Sequence, residues 1–134
     1  MENGCLFIIL GASGDLTKKK LIPAIYNLAL NKKIKNYAIM GVSRKTKVND
    51  LIENFKPHIK NINEDIWKEL EKRVYHFNVD FYDKECFRNL DDLIKKVENK
   101  HNLPGNRLFY LATLPEHFEI IVHNISKYHL SHQN

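Results

Sequence analysis

Gly11, Ser13 and Gly14, within Gly11-Ala12-Ser13-Gly14-Asp15-Leu16, are the residues whose types and spacing are best suited to chemistry. They follow the apolar run Leu6-Phe7-Ile8-Ile9-Leu10 and precede a lysine-rich helical pattern. Strand, tight turn and helix in that order bring backbone N–H groups and a helix N-terminus to face an anion, most often a nucleotide phosphate. Gly11 can adopt a turn conformation closed to residues with a Cβ, and Gly14 lets backbone or ligand approach closely. Ser13 carries a hydroxyl able to donate to a phosphate oxygen. The spacing is G-x-x-G and not the full G-x-G-x-x-G, so a plain strand-to-helix turn is the alternative for these residues.

A phosphate turn would span Gly11 to Lys18, including Ala12 and Thr17, with Ser13 and the amides of Asp15 and Leu16 facing the pyrophosphate. A carboxylate there would repel phosphate. In the first helical turn, however, Asp15 is favourably set against the helix dipole and can point away. A second candidate lies thirty residues on. NAD-specific folds place an acid at the end of the second strand, but here that strand ends in Ser43-Arg44-Lys45, with no acid until Asp50. A planar guanidinium holds a phosphate through two parallel bonds, so Arg44 reads as the clamp for the 2′-phosphate of NADP, with Lys45 and Lys47 adding charge. A solvated basic loop is the competing reading. Asp80, after the third strand, falls where the adenine end should rest, and Thr113, Leu114 and Pro115, after the fourth, where the nicotinamide end should rest.

The elements that must position these residues alternate. Strands are expected at Cys5–Leu10, Tyr37–Val42, Val74–Val79 and Leu108–Ala112. A helix is expected from about Asp15 to Leu30, restarting near Leu21 to Pro23, because proline cannot continue the hydrogen-bond ladder. Val48 to Arg73 reads as one or two helices, interrupted at Pro57, with Asn63 as N-cap of the second. Further helices are expected from Lys84 to Lys100 and from Pro115 to Tyr128. Strands alternating with helices argue an α/β fold, a parallel sheet of about four strands with helices on both faces and right-handed crossovers. Order 3-2-1-4 puts the switch point between strands one and four, beside Gly11 and Ala112.

Composition excludes several classes. Hydrophobic residues make up 43% of the chain, which is ordinary for one folded domain and not for a disordered one. The net charge of +5 is spread along every expected helix and not gathered on a stripe, which argues against nucleic acid. Cys5 and Cys86 form neither a disulfide framework nor a zinc spacing, and a reducing cytosol is the simplest setting. No membrane-length apolar segment or signal peptide is present. His117, His123, His129 and His132 have no carboxylate or cysteine in metal-site spacing and read as surface or core-edge residues. Asp91-Asp92 reads as a solvated helix face, and no catalytic triad pattern is found.

The string Gly11-Ala12-Ser13-Gly14-Asp15-Leu16-Thr17-Lys18-Lys19-Lys20-Leu21-Ile22-Pro23 resembles the coenzyme motif of the glucose-6-phosphate dehydrogenase family: G-A-S-G-D-L, basic residues, an apolar pair, a proline. Ile39-Met40-Gly41-Val42-Ser43-Arg44 resembles the family's second strand and the arginine that ends it. Gly105-Asn106-Arg107-Leu108-Phe109-Tyr110-Leu111-Ala112, then Leu114-Pro115, resembles its fourth strand and following loop. The resemblance implies a Rossmann-like domain that binds NADP, incomplete at 134 residues. Lys20 resembles the lysine close to nicotinamide and substrate. Leu114 departs from the family's proline pair, and Phe118 stands where some members have a tyrosine.

The family's reaction is oxidation of glucose 6-phosphate to 6-phosphogluconolactone, with hydride passed to NADP, at the entry to the pentose phosphate pathway. Its E-K-P-F-G strand, its R-I-D-H-Y-L-G-K-E segment, its histidine base and its second domain, which completes the pocket and dimer interface, are absent from these 134 residues. The expectation is therefore a cofactor-binding domain spanning 1–134 with no catalytic residues and no metal. It should contact no nucleic acid or membrane, and meet glucose 6-phosphate only within a full-length enzyme. A non-catalytic nucleotide-binding or regulatory module is the alternative.

Overall fold

The computed structural model describes residues 4–11, 17–43, 48–78, 84–112 and 118–127. The elements are β1 (Cys5–Leu10), a π-helical turn (Thr17–Leu21), α1 (Ile22–Leu30), β2 (Tyr37–Ser43), α2 (Val48–Phe55) and a 3-10 turn (Lys56–His58). There follow α3 (Glu64–Glu71), β3 (Val74–Asn78), α4 (Lys84–His101), β4 (Arg107–Leu111) and α5 (Phe118–Lys127). The strands form one parallel sheet in the expected order, β3-β2-β1-β4.

Every residue of β1 is buried because the strand is covered on both faces. Alternation sends Cys5, Phe7 and Ile9 into one layer, with Ile22, Ile25 and Tyr26 of α1, Leu51 and Phe55 of α2, and Trp67 and Leu70 of α3. Leu6, Ile8 and Leu10 enter the other layer, with Phe87, Leu90, Ile94 and Val97 of α4 and Ile121 of α5. Each Leu, Ile, Val or Phe side chain among these contributes about 1.5–3 kcal/mol on burial.

Local chemistry sets the helix breaks where the sequence places them. Pro23 lies in the first turn of α1, so the preceding turn ends and the helix restarts. Pro57 sits in the 3-10 turn that closes α2. Asn63 caps α3, its Oδ1 accepting from the amides of Asp65 (3.0 Å) and Ile66 (3.2 Å). The Tyr26 hydroxyl accepts from the Asn63 amide at 2.7 Å, which ties this cap to α1. Trp67 is fully buried and its Nε1 finds no hydrogen-bond partner among the described residues. Burying the indole is worth about 4–6 kcal/mol, which outweighs the about 1–3 kcal/mol cost of the unpaired N–H.

Strand boundaries move by single residues from those expected. β2 reaches Ser43 because that residue still pairs with Asn78. β4 begins at Arg107, which pairs with Leu6, and Ala112 lies just past its end. Val79 lies outside the described residues. Of the pair expected on a solvated helix face, Asp92 is exposed, whereas Asp91 is partly buried and ion-paired to Lys95 at 3.0 Å.

Two partly buried histidines are expected to make stability sensitive to mild acid. His76 hydrogen-bonds Ser43 (2.7 Å), and His101 hydrogen-bonds the Tyr75 hydroxyl (2.6 Å). Burial holds both below the ordinary imidazole range, and for His101 the cations of Arg73 and Lys100 push the same way. The unfolded chain then binds more protons than the folded one as pH falls through about 6.5. Their contribution is present above that pH and is lost below it. The urea midpoint is expected to fall between pH 7.5 and 5.5, and to fall less in a His76→Gln/His101→Gln variant. Parallel profiles for the two proteins would argue against this assignment.

Candidate functional site

The site is assembled from three strand ends at the carboxyl edge of the sheet. β1 runs into Gly11, whose φ of 96° lies in the left-handed region that residues with a Cβ rarely enter. The Gly11 N–H donates to the Val42 carbonyl (2.8 Å), and the Ala112 N–H donates to the Leu10 carbonyl (2.8 Å). Gly11, Ser43 and Ala112 thus end at one edge, held by backbone hydrogen bonds. The segment after β1 returns as α1 in the layer of Cys5, Phe7 and Ile9, whereas α5, after β4, packs in the opposite layer. Between β1 and β4 the covering helices therefore diverge. This is the switch point where doubly wound sheets bind ligands.

The Thr17 hydroxyl donates to the Gly11 carbonyl at 3.3 Å, and Thr17 is fully buried. That bond ties the first residue of the helical turn back to Gly11. The Gly11 amide is likewise committed to β2. Lys18 is half-buried and Lys20 exposed at the start of the helical segment. Ala12, Ser13, Gly14, Asp15, Leu16, Arg44, Asp80 and Thr113 lie outside the described residues, as do Lys45, Lys47, Leu114 and Pro115. The described residues that precede these segments are Gly11 and Ala112, which follow β1 and β4, and Ser43 and Asn78, which close β2 and β3.

One feature of this edge is not legible in the sequence. Ser43 is buried and its Oγ lies 2.7 Å from Nε2 of His76 on the neighbouring strand. The pairing depends on the β2–β3 register, which sets Gly41 opposite His76 and leaves that ring room to lean toward Ser43. A glycine in a strand hints at such a close approach, but only the register names the partner. Among the described residues no group of three His, Cys, Asp or Glu could hold a metal. No described helix is long and apolar enough to cross a membrane.

Comparison with known proteins agrees with this architecture. Residues 8–134 match the family described as "Glucose-6-phosphate dehydrogenase, NAD binding domain". The chain is 34% identical over 135 residues to the glucose-6-phosphate 1-dehydrogenase of Chlamydia muridarum, covering 94% of this chain and 26% of that enzyme. A solved glucose-6-phosphate dehydrogenase in complex with glucose 6-phosphate superposes with a TM-score of 0.84 at 29% identity, over 94% of this chain and 27% of that one. The corresponding enzyme of Mycobacterium avium gives 0.74 at 25% identity, over 93% and 27%. The chain spans about a quarter of the length of these relatives. The glycine turn at the switch point, the strand order and these matches together assign the chain to the glucose-6-phosphate dehydrogenase family, in which it corresponds to the N-terminal nucleotide-binding domain.

Proposed function

We propose that this chain binds NADP across the carboxyl edge of its sheet and serves as the cofactor domain of a glucose-6-phosphate dehydrogenase. The observation that carries this reading is the Gly11 turn, docked on β2 at the point where the helices after β1 and β4 diverge. The turn from Gly11 to Lys18 would hold the pyrophosphate through Ala12, Ser13, Gly14 and the amides of Asp15 and Leu16, with Thr17 bracing it. Arg44 would clamp the 2′-phosphate. Asp80 would flank the adenine end, and Thr113 and Lys20 the nicotinamide end.

The chemistry of these groups fits a dinucleotide phosphate: two hydrogen-bonding chain segments, a guanidinium, and no acid from Ser43 to Asn49 to favour a free ribose hydroxyl. Bound NADP would accept the hydride from glucose 6-phosphate. The residues here would bind and orient it, and none is assigned a proton-transfer role. The chain alone should therefore bind cofactor without turnover, since a base within hydrogen-bond reach of the sugar is needed. Two cysteines not joined by a disulfide fit a reducing cytoplasm.

Calorimetry with NADP and NAD tests the reading. A charge-assisted bond is worth about 1.5–3 kcal/mol, so the wild-type chain should favour NADP by about ten- to a hundredfold. Arg44→Ala should erase that preference, while adding glucose 6-phosphate produces no NADPH. Equal affinity for the two nucleotides in the wild type would defeat the assignment of Arg44.

A further inference from the structure

We infer that His76 is a positioning residue for cofactor choice: through its hydrogen bond to Ser43 it fixes the end of β2 from which Arg44 follows, and so sets discrimination at the adenosine 2′ position. The inference rests on the proposed role of Arg44 and adds to it a residue on a different strand. Ser43 is the last residue of β2. Just before it, the Val42 carbonyl is held by the Gly11 amide, and Ser43 itself pairs with Asn78 of β3. The backbone is thus anchored on both sides up to the residue before Arg44. The 2.7 Å bond from Ser43 Oγ to His76 Nε2 adds a side-chain anchor at that same residue.

The register explains why the anchor forms. Ile39 and Val74 face the α1–α3 layer, and by alternation Gly41, Ser43 and His76 face it too. Directly opposite His76 stands Gly41, which offers no side chain, so the imidazole meets its polar partner two residues further along β2. Ser43 is 4% exposed, so its hydroxyl has little recourse to water if the bond is lost. A bidentate clamp is sensitive to displacements of about 0.5 Å in its support. Loosening Ser43 should therefore weaken the grip on a 2′-phosphate and leave nucleotides without that phosphate almost untouched.

The test measures NADP and NAD affinities of the full chain by calorimetry for wild type, Ser43→Ala, His76→Phe and His76→Gln. Melting temperatures are recorded alongside. His76→Phe keeps a ring but removes the bond, and Ser43→Ala removes it from the other side with the smallest change in volume. Each should weaken NADP about five- to tenfold and change NAD less than twofold. His76→Gln, whose amide can reach the hydroxyl, should recover most of the NADP affinity. A merely structural role would lower both affinities together and give no recovery with glutamine; either result overturns the inference. An unchanged NADP-to-NAD ratio in both Ser43→Ala and His76→Phe, with the wild type still preferring NADP, overturns it while sparing the role of Arg44. A wild-type chain without preference removes both.

Discussion

Glu98→Ala is expected to cost about 3–5 kcal/mol of folding stability. Glu98 lies near the end of α4 and Arg107 opens β4. Their side chains are only 10% and 7% exposed, and they meet through two bonds, Nη2 to Oε1 at 2.7 Å and Nε to Oε2 at 3.0 Å. Removing Glu98 takes the bidentate counter-charge from an arginine in a poorly hydrated place, which is where the large cost arises. Two other ion pairs among the described residues are different in kind. Lys56–Glu64 and Arg88–Glu85 have both side chains largely exposed, and such pairs are worth at most about 1 kcal/mol.

Since domains of this size are stable by only about 5–15 kcal/mol, Glu98→Ala should approach the limit of folding. Urea titration at pH 7.5 checks it. Replacing both partners with apolar residues of similar volume, as in Glu98→Leu/Arg107→Met, should restore much of the loss. A change below about 1 kcal/mol in Glu98→Ala would show that the pair is effectively solvated.

The second large effect concerns the outer edge of β4. Among the described residues the strand pairs with β1 on one side and with no strand on the other. Its five residues, Leu108, Phe109, Tyr110 and Leu111 among them, are all only partly buried, whereas all six of β1 are fully buried. A row of unpaired backbone groups flanked by apolar, uncharged side chains is a template for another chain. The isolated 134-residue polypeptide is expected to self-associate at micromolar concentration, through this edge. Extending it through an E-K-P-F-G strand of the kind the family carries should return it to defined particles. Light scattering of both polypeptides decides the matter, and a monomeric, cooperatively unfolding short chain would mean that the edge is already covered.

The family relationship and the positions of the strands and helix breaks are carried by short stretches of sequence. The run Leu6–Leu10 is apolar at consecutive positions because both of its faces are covered, and such a run can only be a central strand or a buried helix turn. Gly11 and Pro23 removed the ambiguity. One permits the left-handed turn that ends β1, and the other forces the helix to restart at Ile22. Asn63 was equally legible, since an N-cap acts on amides two and three residues away and requires no distant partner. All these features are local, so the sequence alone specifies them.

What lay beyond the sequence depends on contacts between elements. Glu98 and Arg107 are nine residues apart across a turn, and nothing in their spacing says that both are shielded from water. Thr17 stands inside a phosphate-turn motif, yet its hydroxyl is committed to the Gly11 carbonyl because the helical turn packs it inward. His76 and Ser43 are separated by 33 residues, and they meet only because β2 and β3 pair in a register that sets a glycine opposite the ring. A strand's own pattern fixes which face each residue takes, but sliding it by two residues leaves that pattern unchanged. Local sequence therefore determined the strands, the glycine turn, the helix breaks and the family. Register and layer packing, which are sums over many distant contacts, decided which polar groups face one another at the edge where the cofactor is proposed to bind.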